Sequence, residues 1–500
     1  MAVEAVKSRS KVYALAIVIF LAILSLLYFL SAPVYLYIVA YMWFGFVIGG
    51  LMQYGRFCFA SSWRDMLSIK VPRMFVGVLL AVVALSVVGA IALSVYPAQY
   101  VFPPLGLGEI VGGALFGLGM VFAGGCASGV LYKTGEGNLT TGIALITFMF
   151  SLVLAASVIF GPVDSAFQSI AAHTTTWLYH PSISMAQMIF GSSSNGYSLG
   201  QHLVADTLIN SILFGLILLA VAYVLVVRKG FLKKRARELA TVEPATVNAD
   251  GGGVKMGLKD ELAGIWSMIT ASKRTAIIGL LIGVVAGGQI FVMSWLADHY
   301  DFGTTQNFGN VLAGKPSNPP AGSTRVNNSG TTVPASWPAN TYPAETTAKG
   351  TIFDQQYWVM ASQLTMAGGW IVNKAGVNLS NVSYFQSHGL PSPWHNPLLL
   401  LSLGLLLGSA AMALYSREFK WKKPDKESAL FAIGGGLVMG IGASLAFGCN
   451  IGAFFTRAAF GNPGGWLFFL AMGGGAYGGV RFLNWWTERK MADMDFDIEL

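Results

Sequence analysis

Residues 110–138 read IVGGALFGLGMVFAGGCASGVLYKTGEGN, and residues 431–462 read FAIGGGLVMGIGASLAFGCNIGAFFTRAAFGN. Each stretch is an apolar run with glycines four apart, then a glycine-flanked cysteine, then a short segment that ends in a polar turn. Gly113, Gly117, Gly119, Gly125, Cys126 and Gly129 correspond to Gly436, Gly440, Gly442, Gly448, Cys449 and Gly452, and Gly137-Asn138 echoes Gly461-Asn462 with one extra residue. A looser copy surrounds Cys58, with Gly45 and Gly49 at the same distances before it. Every cysteine of the chain therefore sits in one repeated context. A Gly-x-x-x-Gly face lets a neighbouring helix backbone approach closely. Glycines beside the cysteine then break the helix, so the chain is expected to enter, stop and turn. Non-helical backbone at membrane depth is tolerated only where protein covers it or it lines a cavity, so these turns are expected to face a central path.

The rest of the chain makes a membrane the natural setting. Of 500 residues, 54% are hydrophobic and only 11% charged, with a mean hydropathy of +0.60; soluble domains carry about 25% charged residues. Three cysteines against 60 glycines exclude a disulfide scaffold, and no Cys/His spacing suits zinc. A bilayer core of about 30 Å needs roughly 20 apolar residues per helix. Ten runs qualify: 12–30, 35–52, 74–95, 110–124, 139–160, 205–227, 276–297, 397–415, 429–447 and 466–482. The fourth is short for a full crossing. The first follows Lys7, Arg9 and Lys11 but lacks a small-residue cleavage site, so it reads as an uncleaved anchor.

Lys and Arg collect in residues 228–274 and 416–427 and are absent from 161–204, which places both termini in the cytoplasm of a prokaryotic cell. The formal charge of +8 follows from that topological bias, and no nucleic-acid partner is expected. The resulting division is an anchor span (1–33), a first transmembrane half (34–227), a basic cytoplasmic linker (228–274), one span of the second half (275–297), a polar external insertion (298–396), the remaining second half (397–484) and an acidic cytoplasmic tail (485–500). With this topology the span before Cys126 runs inward and the span before Cys449 runs outward. The fold expected is an all-α polytopic membrane protein with about ten spans, short re-entrant helices and an inverted repeat, an arrangement that commonly places a substrate site where broken helices meet. A fourth unit would complete the symmetry. Gly279 and Gly283 keep the glycine spacing, but Val292 stands where the cysteine would.

A buried cysteine is most often a small hydrophobe, yet packing alone does not require three in equivalent breaks. Broken-helix N-termini favour anions through free N–H groups and the positive dipole end, and sulfur suits a soft, polarisable partner. Cys58, Cys126 and Cys449, with Gly125, Gly448 and the amide of Asn450, are the candidate substrate contacts. Arg56, Arg64, Lys133 and Arg457 are candidate entrance charges, with snorkelling to headgroups the competing role for each; Asp65 and Glu136 are possible partners for them. No P-loop and no paired intramembrane histidine for haem is present, so no cofactor is expected.

GRFCFASSWRD at 55–65, FAGGCASGVLYKTGEGN at 122–138 and AFGCNIGAFFTR at 446–457 resemble the three cysteine signatures of the YeeE/YedE family, the thiosulfate permeases. The resemblance implies an hourglass of transmembrane and re-entrant helices, in which Cys58, Cys126 and Cys449 contact thiosulfate successively through S–H···S hydrogen bonds. It also implies a link to a TusA-like cytoplasmic sulfur carrier and, in some branches, to selenium metabolism. The first span, the basic linker and the external insertion depart from the family pattern. Two alternatives to thiosulfate uptake stay open: transport of selenium, sulfide or persulfide species, and a cofactor-free redox enzyme cycling a disulfide between Cys126 and Cys449.

Overall fold

A computed structural model describes residues 2–31, 35–95, 105–158, 179–180, 208–228, 258–299, 324–326, 332–334, 360–379, 382, 384–385 and 393–498. Most of the expected linker (229–257) and insertion (300–323, 327–331, 335–359) lies outside the described residues, as do residues 159–178 and 181–207. The protein is a polytopic helical membrane bundle. Its long helices are α1 (Ala2–Ser31), α2 (Leu36–Gly55), α4 (Arg73–Val95), α5 (Leu107–Phe122), α7 (Leu139–Val158), α10 (Lys273–His299), α12 (Pro397–Tyr415), α13 (Lys426–Leu445) and α14 (Pro463–Ile498). Between them stand the shorter α3 (Phe59–Ser68), α6 (Ala127–Gly135), α8 (Phe214–Ala222, flanked by π-helical turns), α9 (Leu258–Thr270) and α11 (Met360–Lys374), and a π-helix over Asn450–Thr456. Two small antiparallel strand pairs, Leu105–Gly106 with Tyr179–His180 and Thr324–Val326 with Thr332–Pro334, are the β-structure among the described residues.

Among the described residues, eight segments are long and apolar enough to cross a membrane, against the ten expected in the whole chain. The described part of the sixth run is a shorter apolar helix, Ser211–Val227. The tenth run is the start of α14, where Gly473, Gly474, Gly475, Gly478 and Gly479 dilute the hydropathy of an otherwise long helix.

The glycine spacing works as close backbone packing. Gly45 and Gly49 of α2 lie against the backbone of Leu401 and Leu405 of α12, while Gly404 and Gly408 of α12 lie against Met42 and Phe46 of α2. Both sets rise together along their chains, so α2 and α12 are parallel. In the same way Gly279 and Gly283 of α10 meet Gly77 and Ala81 of α4, Gly113 and Gly117 of α5 meet Phe468 and Met472 of α14, and Gly436 and Gly440 of α13 meet α7 at Ala144 and Phe148. One pair runs the other way. Gly112 faces Gly442 and Gly119 faces Gly435, so α5 and α13 cross antiparallel. By the repeat correspondence Gly112 maps on Gly435 and Gly119 on Gly442, and the two contacts exchange. Any side chain at these positions would strike a backbone carbonyl or amide, which makes the glycines a packing requirement.

Helix α12 starts at Asn396, whose Oδ1 accepts the N–H of Leu398 (3.1 Å) and Leu399 (3.0 Å), with Pro397 at the first helical position. The cap is 1% exposed, so its bonds are shielded from solvent. Replacing Asn396 with Ala is expected to cost about 1–2 kcal/mol, read as a lower thermal midpoint of the detergent-solubilised protein at unchanged helicity.

Candidate functional site

Each cysteine follows the same local plan. The long helix before it ends on a residue in left-handed conformation two positions upstream: Arg56 (φ 49°), Gly124 (φ 72°) and Phe447 (φ 52°). After Arg56 and Phe447 the next amide reaches back five residues, Phe57 N–H to the Met52 carbonyl (2.8 Å) and Gly448 N–H to the Ala443 carbonyl (2.9 Å), which is the Schellman closure. The cysteine then has extended backbone and its carbonyl opens a short helix, accepting from Ser61 (3.1 Å), Val130 (2.7 Å) and Ala453 (2.6 Å). Cys58, Cys126 and Cys449 are thus the N-caps of α3, α6 and the π-helix. At ten and nine residues, α3 and α6 span about 15 Å and 13.5 Å at 1.5 Å per residue, half the bilayer core. None of the three thiols makes a full capping hydrogen bond, so the first N–H groups of three short helices are left beside the sulfurs without an oxygen acceptor from the cap.

Cys58 Sγ and Cys126 Sγ lie 3.9 Å apart, both buried, and Cys126 Sγ is 3.4 Å from Ser128 Oγ. Gly129 makes that approach possible: a Cβ there would sit 2.6 Å from Cys58 Sγ and 3.2 Å from Cys126 Sγ. Cys449 is equally buried but its sulfur is surrounded by amides, those of Ile451 and Gly452 on its own helix and those of Met360 and Ala361 at the start of α11. Phe59, the first residue after its cap, and Phe455, near the end of the π-helix, meet edge to face at 5.4 Å, which packs the start of α3 against the π-helix. Asn450 is fully buried, and both its Oδ1 and Nδ2 lack a partner in the structure. A buried amide with neither bond made costs free energy. Gly125 and Gly448 sit where a Cβ would press on the following turn, at 3.1 Å and 2.9 Å; they shape the break.

The charged residues fall into three situations. Lys133 and Arg64 lie within electrostatic reach of the Cys58 sulfur; Lys133 also donates to the Gly124 carbonyl at 2.5 Å, and Arg64 pairs with Asp65 at 2.9 Å and Ser61 Oγ at 3.1 Å. Arg56 is exposed and pairs with Glu418 at 3.3 Å. Arg457 is 2% exposed and lies 3.1 Å from Glu109, while its second nitrogen donates to the carbonyls of Ala446 and Phe447 at 3.2 Å each. It neutralises the last turn of α13 from inside the protein, facing no entrance among the described residues. Glu136 pairs with Lys422 at 3.4 Å, away from the cysteine-proximal cations.

Two features escaped the sequence reading. Helix α11 comes from the segment read as an external insertion, yet its first three turns are buried against the bundle: Gly368 packs on Met149 and Val153 of α7, and the Gln363 carbonyl oxygen accepts from Ser402 Oγ of α12 at 2.5 Å. Glu109 also escaped, although a carboxylate within an apolar run is by itself a flag.

A family described as sulphur transport matches residues 54–478. The chain belongs to that family. The match takes in all three cysteines and leaves α1 and most of α2, with Gly45 and Gly49, outside. Among curated relatives, the thiosulfate transporter TsuA of Escherichia coli K12 is 27% identical over 438 residues, covering 86% of this chain and 90% of the relative. The thiosulfate transporter TsuA of Spirochaeta thermophila is 43% identical over 106 residues, 21% of this chain and 32% of the relative. The probable transporter YedE of Escherichia coli K12 is 33% identical over 128 residues, 25% of this chain and 32% of the relative. This sulphur-transport protein is therefore an integral membrane protein whose family handles sulfur anions, and the named relatives are transporters.

Proposed function

We propose that the chain takes up thiosulfate or a closely related sulfur anion, passing it inward from Cys449 to Cys126 to Cys58. What supports the reading most is the uncapped thiol at the head of each short helix. Thiosulfate has two chemically different ends, a soft terminal sulfur and three sulfonyl oxygens. A neutral thiol donates weakly to the first, and helix N-terminal amides donate to the second. Asn450 would add an amide donor at the outer site, and Lys133 and Arg64 would hold the anion at the inner one. Stripping water from a dianion is costly, and several weak sites in series let it enter without being trapped. The two cysteine units form an inverted repeat in this reading, with the termini in the cytoplasm, the basic linker on the same side and a TusA-like sulfur carrier receiving the cargo there. No cofactor takes part. Residues 298–396 are an insertion whose helix α11 serves as the fourth short helix and lends its amides to Cys449.

Uptake of labelled thiosulfate into proteoliposomes tests this. A hydrogen bond to a charged ligand is worth about 1.5–3 kcal/mol, so Cys126→Ala and Cys449→Ala are each expected to lower uptake about 10- to 100-fold. Undiminished uptake in both variants, at normal incorporation, rejects the relay. The redox alternative makes a different forecast, accumulation of an oxidised sulfur product. Its disulfide would have to join Cys126 to Cys449, whereas Cys126 lies beside Cys58 at 3.9 Å. Competition by selenosulfate, sulfide, sulfite and sulfate defines the substrate range.

A further inference from the structure

Helix α1 is tied to the bundle at both ends and packs on it at mid-length, where Leu21 is fully buried in a cluster that α2 and α12 also supply, with Ile17 and Leu24 against it; it leaves a gap only near its start, over residues 11–18. At one end Ser10 Oγ donates to the Leu414 carbonyl of α12; at the other, Tyr28 Oη donates to the Trp394 carbonyl at 2.7 Å and Trp43 Nε1 to Ser25 Oγ at 2.9 Å. Only 11% of its membrane window is buried. The gap is an apolar cavity of about 520 Å³ between α1, α2 and α12, with Val18, Phe46, Gly50, Gly408 and Met412 in its walls. That is the size of a ligand pocket, roughly 300–1,000 Å³. Its mouth lies where the α1 span begins and α12 ends, and there the lining changes character: Lys11 reaches the face of Tyr415, 5.6 Å from the ring centroid. The chain leaving α12 continues with Arg417, Lys420, Lys422 and Lys423.

We propose that this groove is a binding site for an anionic glycerophospholipid, one acyl chain lying between α1 and the α2/α12 pair and the headgroup phosphate held at Lys11. An apolar cleft open to the bilayer fills with hydrocarbon, and a basic residue at the membrane surface selects the negative headgroup, as basic pockets between transmembrane helices do. Gly50 forms part of the floor. A Cβ on it would meet its nearest atoms, the Gly408 oxygen and Met412 Cε, only at 3.8 and 3.9 Å. It differs in this from Gly45 and Gly49, which the α12 backbone covers. Gly50 is thus open space that the helix packing does not use. The occupied groove would bridge α1, which lies outside the family match, to the helix that leads into Cys58. The inference is independent of the transported substrate.

The experiment is a thermal-shift titration of the purified full chain with phosphatidylglycerol and with phosphatidylcholine, supported by native mass spectrometry of retained lipid. Wild type is expected to bind phosphatidylglycerol about fivefold more tightly, the effect of one lysine near the membrane surface. Gly50→Leu, which fills the groove from α2, and Leu15→Trp, which fills it from α1, are expected to abolish the lipid-dependent shift while leaving the lipid-free midpoint within a few degrees of wild type. Lys11→Gln is expected to keep lipid binding and lose the headgroup preference. The proposal fails if both groove-filling variants shift with lipid as wild type does, or if wild type does not distinguish the two headgroups. It also fails if Gly50→Leu instead converts a dimer to a monomer, since the groove would then hold a second copy of the chain.

Discussion

Gly129→Ala silences uptake in a protein that still folds. The added methyl would lie 2.6 Å from Cys58 Sγ and 3.2 Å from Cys126 Sγ, inside the contact distance of either sulfur. Helix α6 has little freedom to retreat: the Ser409 hydroxyl of α12 bonds the Tyr132 carbonyl, and Lys133 is anchored on the Gly124 carbonyl at 2.5 Å. One thiol must therefore swing away from the other. Overpacking of this kind costs about 1–3 kcal/mol, which a membrane bundle survives. The functional loss is larger, because the two sulfurs no longer face one space. Uptake of labelled thiosulfate should fall at least tenfold, about 1.4 kcal/mol at the binding step. Pairing Gly129→Ala with Cys58→Ala removes the clash, so the melting point should recover while uptake stays low. Normal uptake by Gly129→Ala alone would show that the Cys58–Cys126 approach is incidental packing.

The largest stability effect is expected at Glu109 and Arg457. Both are 2% exposed at the side chain and are 3.1 Å apart. Glu109 also accepts the Gly106 N–H at 2.8 Å, tying down the start of α5. Removing one member of a buried pair strands the other charge and costs about 3–5 kcal/mol. Glu109→Gln and Arg457→Met should each lower the thermal midpoint strongly, and the double variant should destabilise less than the sum of the two. Recovery will be incomplete, since Arg457 also satisfies the carbonyls of Ala446 and Phe447. Because Phe447 forms the left-handed bend two residues before Cys449, uptake should suffer along with stability. Additive effects in the double variant would mean that the two residues act separately.

Much of this architecture can be read in the chain alone, for a local reason. Glycines at fixed distances before Cys58, Cys126 and Cys449 report on close backbone contact, and glycine beside the cysteine reports on a helix break; both are properties of a few neighbouring residues. The bundle places Gly45, Gly113 and Gly436 at helix contacts and breaks each helix two residues before its cysteine, but the left-handed residue there is glycine only at Gly124, with Arg56 and Phe447 at the other two and no glycine adjoining Cys58. What stayed hidden depends on partners far along the chain. Nothing near Arg457 announces Glu109, and nothing near Cys126 says that its neighbour is Cys58 and not Cys449. Helix α11 was masked by its setting in a polar segment rich in Asn, Thr, Ser and Pro. Its own composition, with Met360, Leu364, Met366 and Gly368-Gly369, suits burial only once α7 and α12 supply the other wall.

One consequence concerns why the three N-cap positions carry cysteine when serine, threonine, asparagine and aspartate are the usual choices. An oxygen side chain at an N-cap folds back on its own first turn and satisfies an amide there. Sulfur is a weak acceptor, and none of the three thiols closes its helix. The protein gives up about 1 kcal/mol of helix stability at each site relative to an oxygen cap. On the proposed path, weak capping would make those amides available to an anion, and the close glycine packing of the helices before them would fix where they stand.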